Sequence, residues 1–170
     1  MADNPNAMIS VDTANDILTR FFIPTPANPF YIGLALSETS VLNATTTDFK
    51  EPGNCTADNN YTDPTNNYAR AKLTAMDTPK KGQTQNSDVI HFNETAGDGW
   101  GTVGYFGLFK SQSATAPFFW AKLTDANGDV TTKTIAGQDS EGNGYIPIFR
   151  AEMLKIAIDR EPVAKSELED

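Results

Sequence analysis

The sequence predicts a mainly β protein: an antiparallel β-sandwich, jelly-roll-like or Greek-key, with one short N-terminal helix. Three observations predict this fold. Asn, Thr, Ser, Gly and Pro are abundant, which favours turns and strands over helices. About seven short apolar or alternating segments follow one another, separated by turn signals. Only one segment, near the N-terminus, keeps helical spacing.

Length and composition exclude several classes of protein. With 170 residues the chain can form one domain with a substantial core. The net charge of -9 opposes binding to nucleic-acid phosphates. A single cysteine, Cys55, excludes an intrachain disulfide and a cysteine-based zinc site. No stretch approaches the roughly 20 apolar residues of a membrane span, and no signal peptide is visible, so we expect synthesis in a cytoplasm.

The first part of the chain predicts a lead, a helix and a strand. Residues 1–10 are expected to form a flexible lead. Residues 11–22 are apolar at helical spacing and are followed by two prolines that end the helix. The apolar segment 30–37 predicts a buried strand. Residues 38–67 are rich in Asn, Asp, Thr and Pro, and we expect a variable surface loop that buries little.

The remaining elements are predicted strands. Alternation over 68–75 predicts a strand with one wet face that carries Tyr68 and Arg70. Further strands are expected within 87–94, 99–110, 118–124 and 130–135, with a type I′ turn at Asn127-Gly128. Segment 149–158 fits either a strand or a helix, and its alternating isoleucines favour a strand. We predict a single domain over 11–159 and an acidic C-terminal tail over 160–170.

Three patterns that could carry chemistry have simpler explanations. The only histidine, His91, is expected to face outward from a strand, with no nucleophile motif beside it. Residues 99–104 match G-x-G-x-x-G but lack the strand before and the helix after that a dinucleotide site needs. The segment 125–130 resembles the start of a calcium loop, yet it lacks the required Gly and Glu, and a hairpin explains it. We therefore predict no catalytic residue, no cofactor and no metal.

Aromatic residues concentrate between Trp100 and Trp120. They could form a sandwich core, because buried aromatic side chains contribute much of the energy of a core. They could also form a platform on which a sugar or another ligand stacks. The core is the favoured interpretation, with Trp100, and also Tyr61 in the polar loop, as the residues predicted to face a ligand.

Several motifs, in order, resemble a known family. They are the strand "YIGLALS", which begins at Tyr31, then "NYARAKLT" from 67 to 74, and then the block "WGTVGYFGLF" from 100 to 109. This series is similar to the tail-fibre-like family of small structural virion proteins of tailed bacteriophages, over roughly residues 15–159. The matching positions are Tyr31, Tyr68, Arg70, Trp100, Gly101, Thr102, Gly107, Leu108 and Phe109.

The resemblance implies a non-enzymatic structural protein of the virion, made in the cytoplasm of the host bacterium. Its place would be in the tail, fibre or baseplate, or at a head vertex. It implies that the chain assembles with copies of itself and with other virion proteins. The alternative is a carbohydrate- or receptor-binding module of the particle that recognises a host surface glycan. Neither role involves nucleic acid or a membrane span.

Overall fold

The computed structural model describes residues 9–38, 41–42 and 47–158. Most of the predicted lead 1–10, all of the tail 160–170 and part of the loop 38–67 lie outside the described residues. The prediction of a single domain over 11–159 stays a prediction. The described elements are α1 Val11–Phe22, β1 Phe30–Leu36, β2 Val41–Leu42, β3 Thr47–Asp48, β4 Thr62–Asp63, β5 Tyr68–Ala69, β6 Ala71–Leu73, β7 Gln83–Gln85, β8 Ile90–His91, β9 Gly99–Phe109, β10 Phe119–Lys122, β11 Lys133–Ala136, β12 Ile148–Phe149 and β13 Lys155–Ala157.

The predicted fold class is confirmed, because the protein is mainly β with antiparallel sheets, consistent with a β-sandwich-like fold. The predicted helix is confirmed at α1, where Ser10 caps the first turn by accepting a hydrogen bond from the Thr13 backbone N–H at 3.2 Å. Its residues Ala14 and Leu18 are buried. The helix has one face in the core and one in solvent, as its apolar spacing predicts.

Strand β9 is the centre of the main sheet. It pairs along one edge with β1, which pairs in turn with β6. Its other edge pairs with β10 in the C-terminal half and with β11 in the N-terminal half. The core lies on one face of this sheet and includes Ile32, Leu34, Phe106 and Leu108. The opposite face is called here the back face.

The polar segment 49–66, called here the covering segment, packs on the back face through Phe49 and Glu51. Gly33 of β1 and Gly107 of β9 are directly paired, and neither carries a Cβ. A Cβ at Gly107 would lie 2.8 Å from Phe49 Cε2 and 2.9 Å from Pro117 Cβ. These glycines therefore let the covering segment approach the sheet closely, which is the physical reason for glycine inside a strand here.

Three predictions about local structure are wrong. Tyr68 and Arg70 are buried, with 1% and 5% of their surface exposed, so the predicted wet face is wrong at these two residues, whereas Lys72 of the same face is exposed. The turn at Asn127-Gly128 is not type I′, because only Gly128 has a positive φ, and the turn closes from the Gly128 N–H to the Asp125 carbonyl. The polar loop buries more than expected, including Glu51 and Asp63.

Segment 149–158 is neither one helix nor one strand. Its first residue ends β12, which pairs with β8, and its last part contains β13, which pairs with β7. Asn86 is fully buried and holds the turn between them. Its side chain donates to the Arg150 carbonyl at 2.9 Å and accepts from the Leu154 N–H at 2.8 Å. A periodic pattern could not predict this because one polar side chain from a distant segment sets the path of the chain.

Candidate functional site

Trp100 is a core residue. Only 2% of its surface is exposed, and its Nε1–H donates to the Asn66 carbonyl at 2.9 Å. Its ring packs edge-on against Tyr68 and Phe92, at centroid distances of 5.0 and 5.8 Å. The face that a ligand would stack on is therefore occupied by protein, as the core interpretation of the aromatic cluster requires.

A buried ion pair joins the covering segment to the sheet. Arg70 donates from Nη2 to Glu51 Oε2 at 2.7 Å and from Nε to Glu51 Oε1 at 3.0 Å, and both side chains are almost fully buried. Tyr68 donates its hydroxyl hydrogen to Glu51 Oε1 at 2.7 Å and accepts from the Leu34 N–H at 2.9 Å. Every polar atom of the carboxylate is thus satisfied, which is the condition for tolerating a buried charge.

The Arg70 guanidinium is also enclosed by two aromatic rings. Its Cζ lies 3.5 Å from the ring centroid of Phe109 and 3.8 Å from that of Tyr61. Its Nη1 donates to the carbonyls of Gln112 and Ala114 at 2.9 and 2.8 Å. One side chain therefore connects the sheet, the covering segment and the loop after β9. Of the two residues predicted to face a ligand, Tyr61 is half-buried and has one ring face against Arg70.

Burial sets the protonation behaviour of this cluster. Desolvation raises the pKa of Glu51, and the hydrogen bonds and positive charge of Arg70 oppose that shift. Burial and the neighbouring Glu51 carboxylate raise the pKa of Tyr68 well above its ordinary value. Burial also raises the pKa of the Cys55 thiol to about 12, so this cysteine stays protonated and is a poor nucleophile. These groups join the segment around Glu51 to the sheet.

The other family-motif residues lie on β1 and β9. Tyr31 is half-buried, whereas Gly107, Leu108 and Phe109 are buried in the sheet. Gly101 is exposed with a φ of 75°. Thr102 is half-buried, and its hydroxyl is hydrogen-bonded to the Thr134 hydroxyl at 2.9 Å across the pair of β9 and β11. The structure thus brings Arg70 against Phe109 on the back face, joins Tyr68 to Arg70 through the Glu51 carboxylate, and leaves Gly101 and Thr102 at the far end of β9.

Sequence reasoning missed Glu51 as the partner of Arg70. The residue lies in a polar stretch, and nothing in its local pattern marks it as buried. The available signal was the arginine of the motif "NYAR", because an arginine that is buried needs a carboxylate partner. The partner is 19 positions away, so only the tertiary structure identifies it.

His91 and the turn at 125–129, two of the patterns that could carry chemistry, lie at the surface. His91 is exposed, and no group of three or more His, Cys, Asp or Glu side chains in the described part could hold a metal ion. In the turn at 125–129 the Asp125 carboxylate accepts from the N–H groups of Asn127 and Asp129, at 2.8 and 3.0 Å. Within the described ranges no helix has the length and apolar character needed to cross a membrane.

An apolar groove opens beside the core. It has a volume of about 710 Å³ and lies between the β10–β11 hairpin and the segment that contains β12. Its floor includes Leu34, Phe106 and Phe149. Its rim carries four large apolar side chains whose exposed fractions run from 43% to 55%: Tyr145, Ile146, Ile148 and Met153. We call these four residues and the cavity the apolar groove.

A second apolar surface lies at the end of α1. Phe21 is 57% exposed and Phe118 is 36% exposed. Lys110 lies between them, since its Nζ donates to the Phe21 backbone carbonyl at 3.2 Å and lies 4.1 Å from the Phe118 ring centroid. Partial burial lowers the pKa of Lys110. We call Phe21 and Phe118 the phenylalanine patch.

The described residues form a β-rich protein with two exposed apolar surfaces, the apolar groove and the phenylalanine patch. The chain matches the family described as "Podophage GP4 fiber I protein gp80" over residues 13–138 and belongs to that family. No curated protein matches the chain, and no solved structure matches it either. Family membership supports a structural role in a bacteriophage tail fibre and a location in the virion.

Proposed function

We propose that this chain is a non-enzymatic building block of the phage particle that works through oligomeric assembly with copies of itself and with other virion proteins. The observation that carries the proposal is the placement of exposed apolar surface. Eight large hydrophobic side chains are exposed among the described residues, and six of them belong to the apolar groove or the phenylalanine patch. Contiguous apolar patches on a soluble protein mark interaction sites.

The charge of the protein supports the same proposal. At a net charge of -9 separate copies repel one another, so non-specific association is suppressed. Apolar surface in two defined places then allows contact only where the shapes fit.

The test is to measure association and particle content. Size-exclusion chromatography with light scattering should show an oligomer whose fraction rises with protein concentration. Mass spectrometry of purified particles should find the chain in a fixed copy number, and a multiple of three, five, six or twelve would distinguish fibre, vertex and ring positions. A chain that stays monomeric at millimolar concentration and is missing from particles contradicts the proposal.

A further inference from the structure

The apolar groove and the phenylalanine patch lie at the two ends of one strand. Phe118 directly precedes β10, while Lys122, at the other end of β10, and the following Leu123 line the groove. Five residues of extended chain separate Phe118 from Leu123, which is roughly 17 Å. The two surfaces are therefore close together but distinct.

The two surfaces differ in shape. The groove is a cavity whose floor is the exposed side of core residues such as Phe106. The phenylalanine patch is carried by the last turn of α1 and by the start of β10, and Phe21 projects with more than half of its surface exposed. A recess on one copy and a projection on the next form a heterologous contact, which closes into a ring or continues as a filament.

We propose that the phenylalanine patch of one copy docks in the apolar groove of a second copy of this chain. The inference rests on the proposed function and specifies its contact surface. The four groove residues, each about half exposed, and the two phenylalanines together leave roughly 600 Å² of apolar surface uncovered, given about 150–250 Å² for a large side chain. Interfaces are about 56–65% apolar, so this surface corresponds to an interface of roughly 1,000 Å², the lower limit for a specific contact.

Charge gives the contact a distinctive salt dependence. The copies carry -9 each, and the six apolar side chains proposed to meet are uncharged, although Lys110 lies beside the patch and Lys122, Asp125 and Lys133 line the groove. Screening by salt weakens the repulsion between copies and leaves apolar attraction in place. Self-association should therefore strengthen between about 50 and 500 mM NaCl. Docking of the acidic segment 159–170 against Lys122 and Lys133 of the groove would instead weaken with salt.

The experiment uses one variant for each surface and a matched control. Ile146→Lys places a charge in the groove, Phe21→Lys places one in the patch, and Val89→Lys alters an exposed hydrophobic outside both surfaces. Near-ultraviolet circular dichroism and the melting temperature should show that all three are folded. Sedimentation equilibrium should then show at least tenfold weaker association for the first two variants and no comparable change for Val89→Lys.

Mixing the two defective variants is the decisive measurement. Ile146→Lys keeps an intact patch and Phe21→Lys keeps an intact groove, so the mixture should form heterodimers that grow no further. A wild-type oligomer that both variants leave unchanged would overturn this contact and leave the proposed function standing. A loss of association only in Ile146→Lys, with no rescue on mixing, would also overturn it, because it indicates groove-to-groove pairing or docking of 159–170. A monomeric wild-type chain that is missing from particles would overturn both proposals.

Discussion

The back face of the main sheet and the apolar groove reverse what their sequences suggest. The back face is covered by a polar segment that buries a charged pair, Glu51 and Arg70, whereas the groove is lined by isoleucines and aromatics that remain exposed. The back face is covered by residues of the same chain, and both oxygens of the buried Glu51 carboxylate find hydrogen-bond partners there. The described residues leave the side chains at the rim of the groove exposed. Polarity in the sequence therefore identifies neither the covered surface nor the open one.

Arg70→Met should have the largest effect, because it leaves the Glu51 carboxylate buried without its cation. We expect a loss of about 3–5 kcal/mol in the free energy of unfolding, measured by urea denaturation. Lys72→Met, an exposed position two residues away, is the matched control and should change little. The double variant Glu51→Leu/Arg70→Met should recover a large part of the loss. Equal losses in the single and double variants would show that packing, and not the unpaired charge, stabilises the back face.

Gly107→Ala should have the next largest effect, because a Cβ there meets both Phe49 and Pro117. Crowding of this kind typically costs about 1–3 kcal/mol. Phe49→Leu removes one of the two contacts, so the double variant should lose less stability than the sum of the two single variants. Strict additivity in thermal unfolding would mean that the covering segment does not press on the sheet at Gly107.

Asp63 makes the stability of the covering segment dependent on pH. Hydrogen bonds from the Asn54 and Thr65 backbone N–H groups lower the pKa of its carboxyl in the folded state. A lowered folded pKa gives stability that is present above the unfolded value of about 3.9 and is lost as pH falls through the folded pKa. We expect Asp63→Asn to lose less stability than the wild type between about pH 5 and pH 2.5. Parallel pH profiles from urea titrations would contradict this assignment.

Ile146→Ser should have the smallest effect on stability, because the side chain is already 55% exposed. We expect a change within about 0.5 kcal/mol in the free energy of unfolding. The same substitution should weaken self-association, which sedimentation equilibrium measures. A loss of several kcal/mol would show instead that the groove belongs to the core of the single chain, and would remove the contrast with the back face.

Local features of the sequence determined the elements that depend on neighbouring residues. The helix Val11–Phe22 has its cap, its apolar spacing and its proline stop within one short segment, so its position is predictable. The block from Trp100 to Phe109 is predictable as a strand because its signals also lie within one short segment. Its motif agrees with the family to which the chain belongs. No local rule could place Asn86, because its partners are Arg150 and Leu154.

The tertiary structure alone decided which surfaces are covered. Alternation over 68–75 predicts Tyr68 and Arg70 on one side of a strand, but it cannot tell whether another segment packs over that side. Glu51 covers it, from a stretch whose composition is typical of a surface loop. Burial depends on contacts between residues far apart in the chain, whereas periodicity reports only residues close together. The sequence therefore determined the class of fold and the family, and the tertiary structure decided that Trp100 is buried and that the described residues leave the groove open.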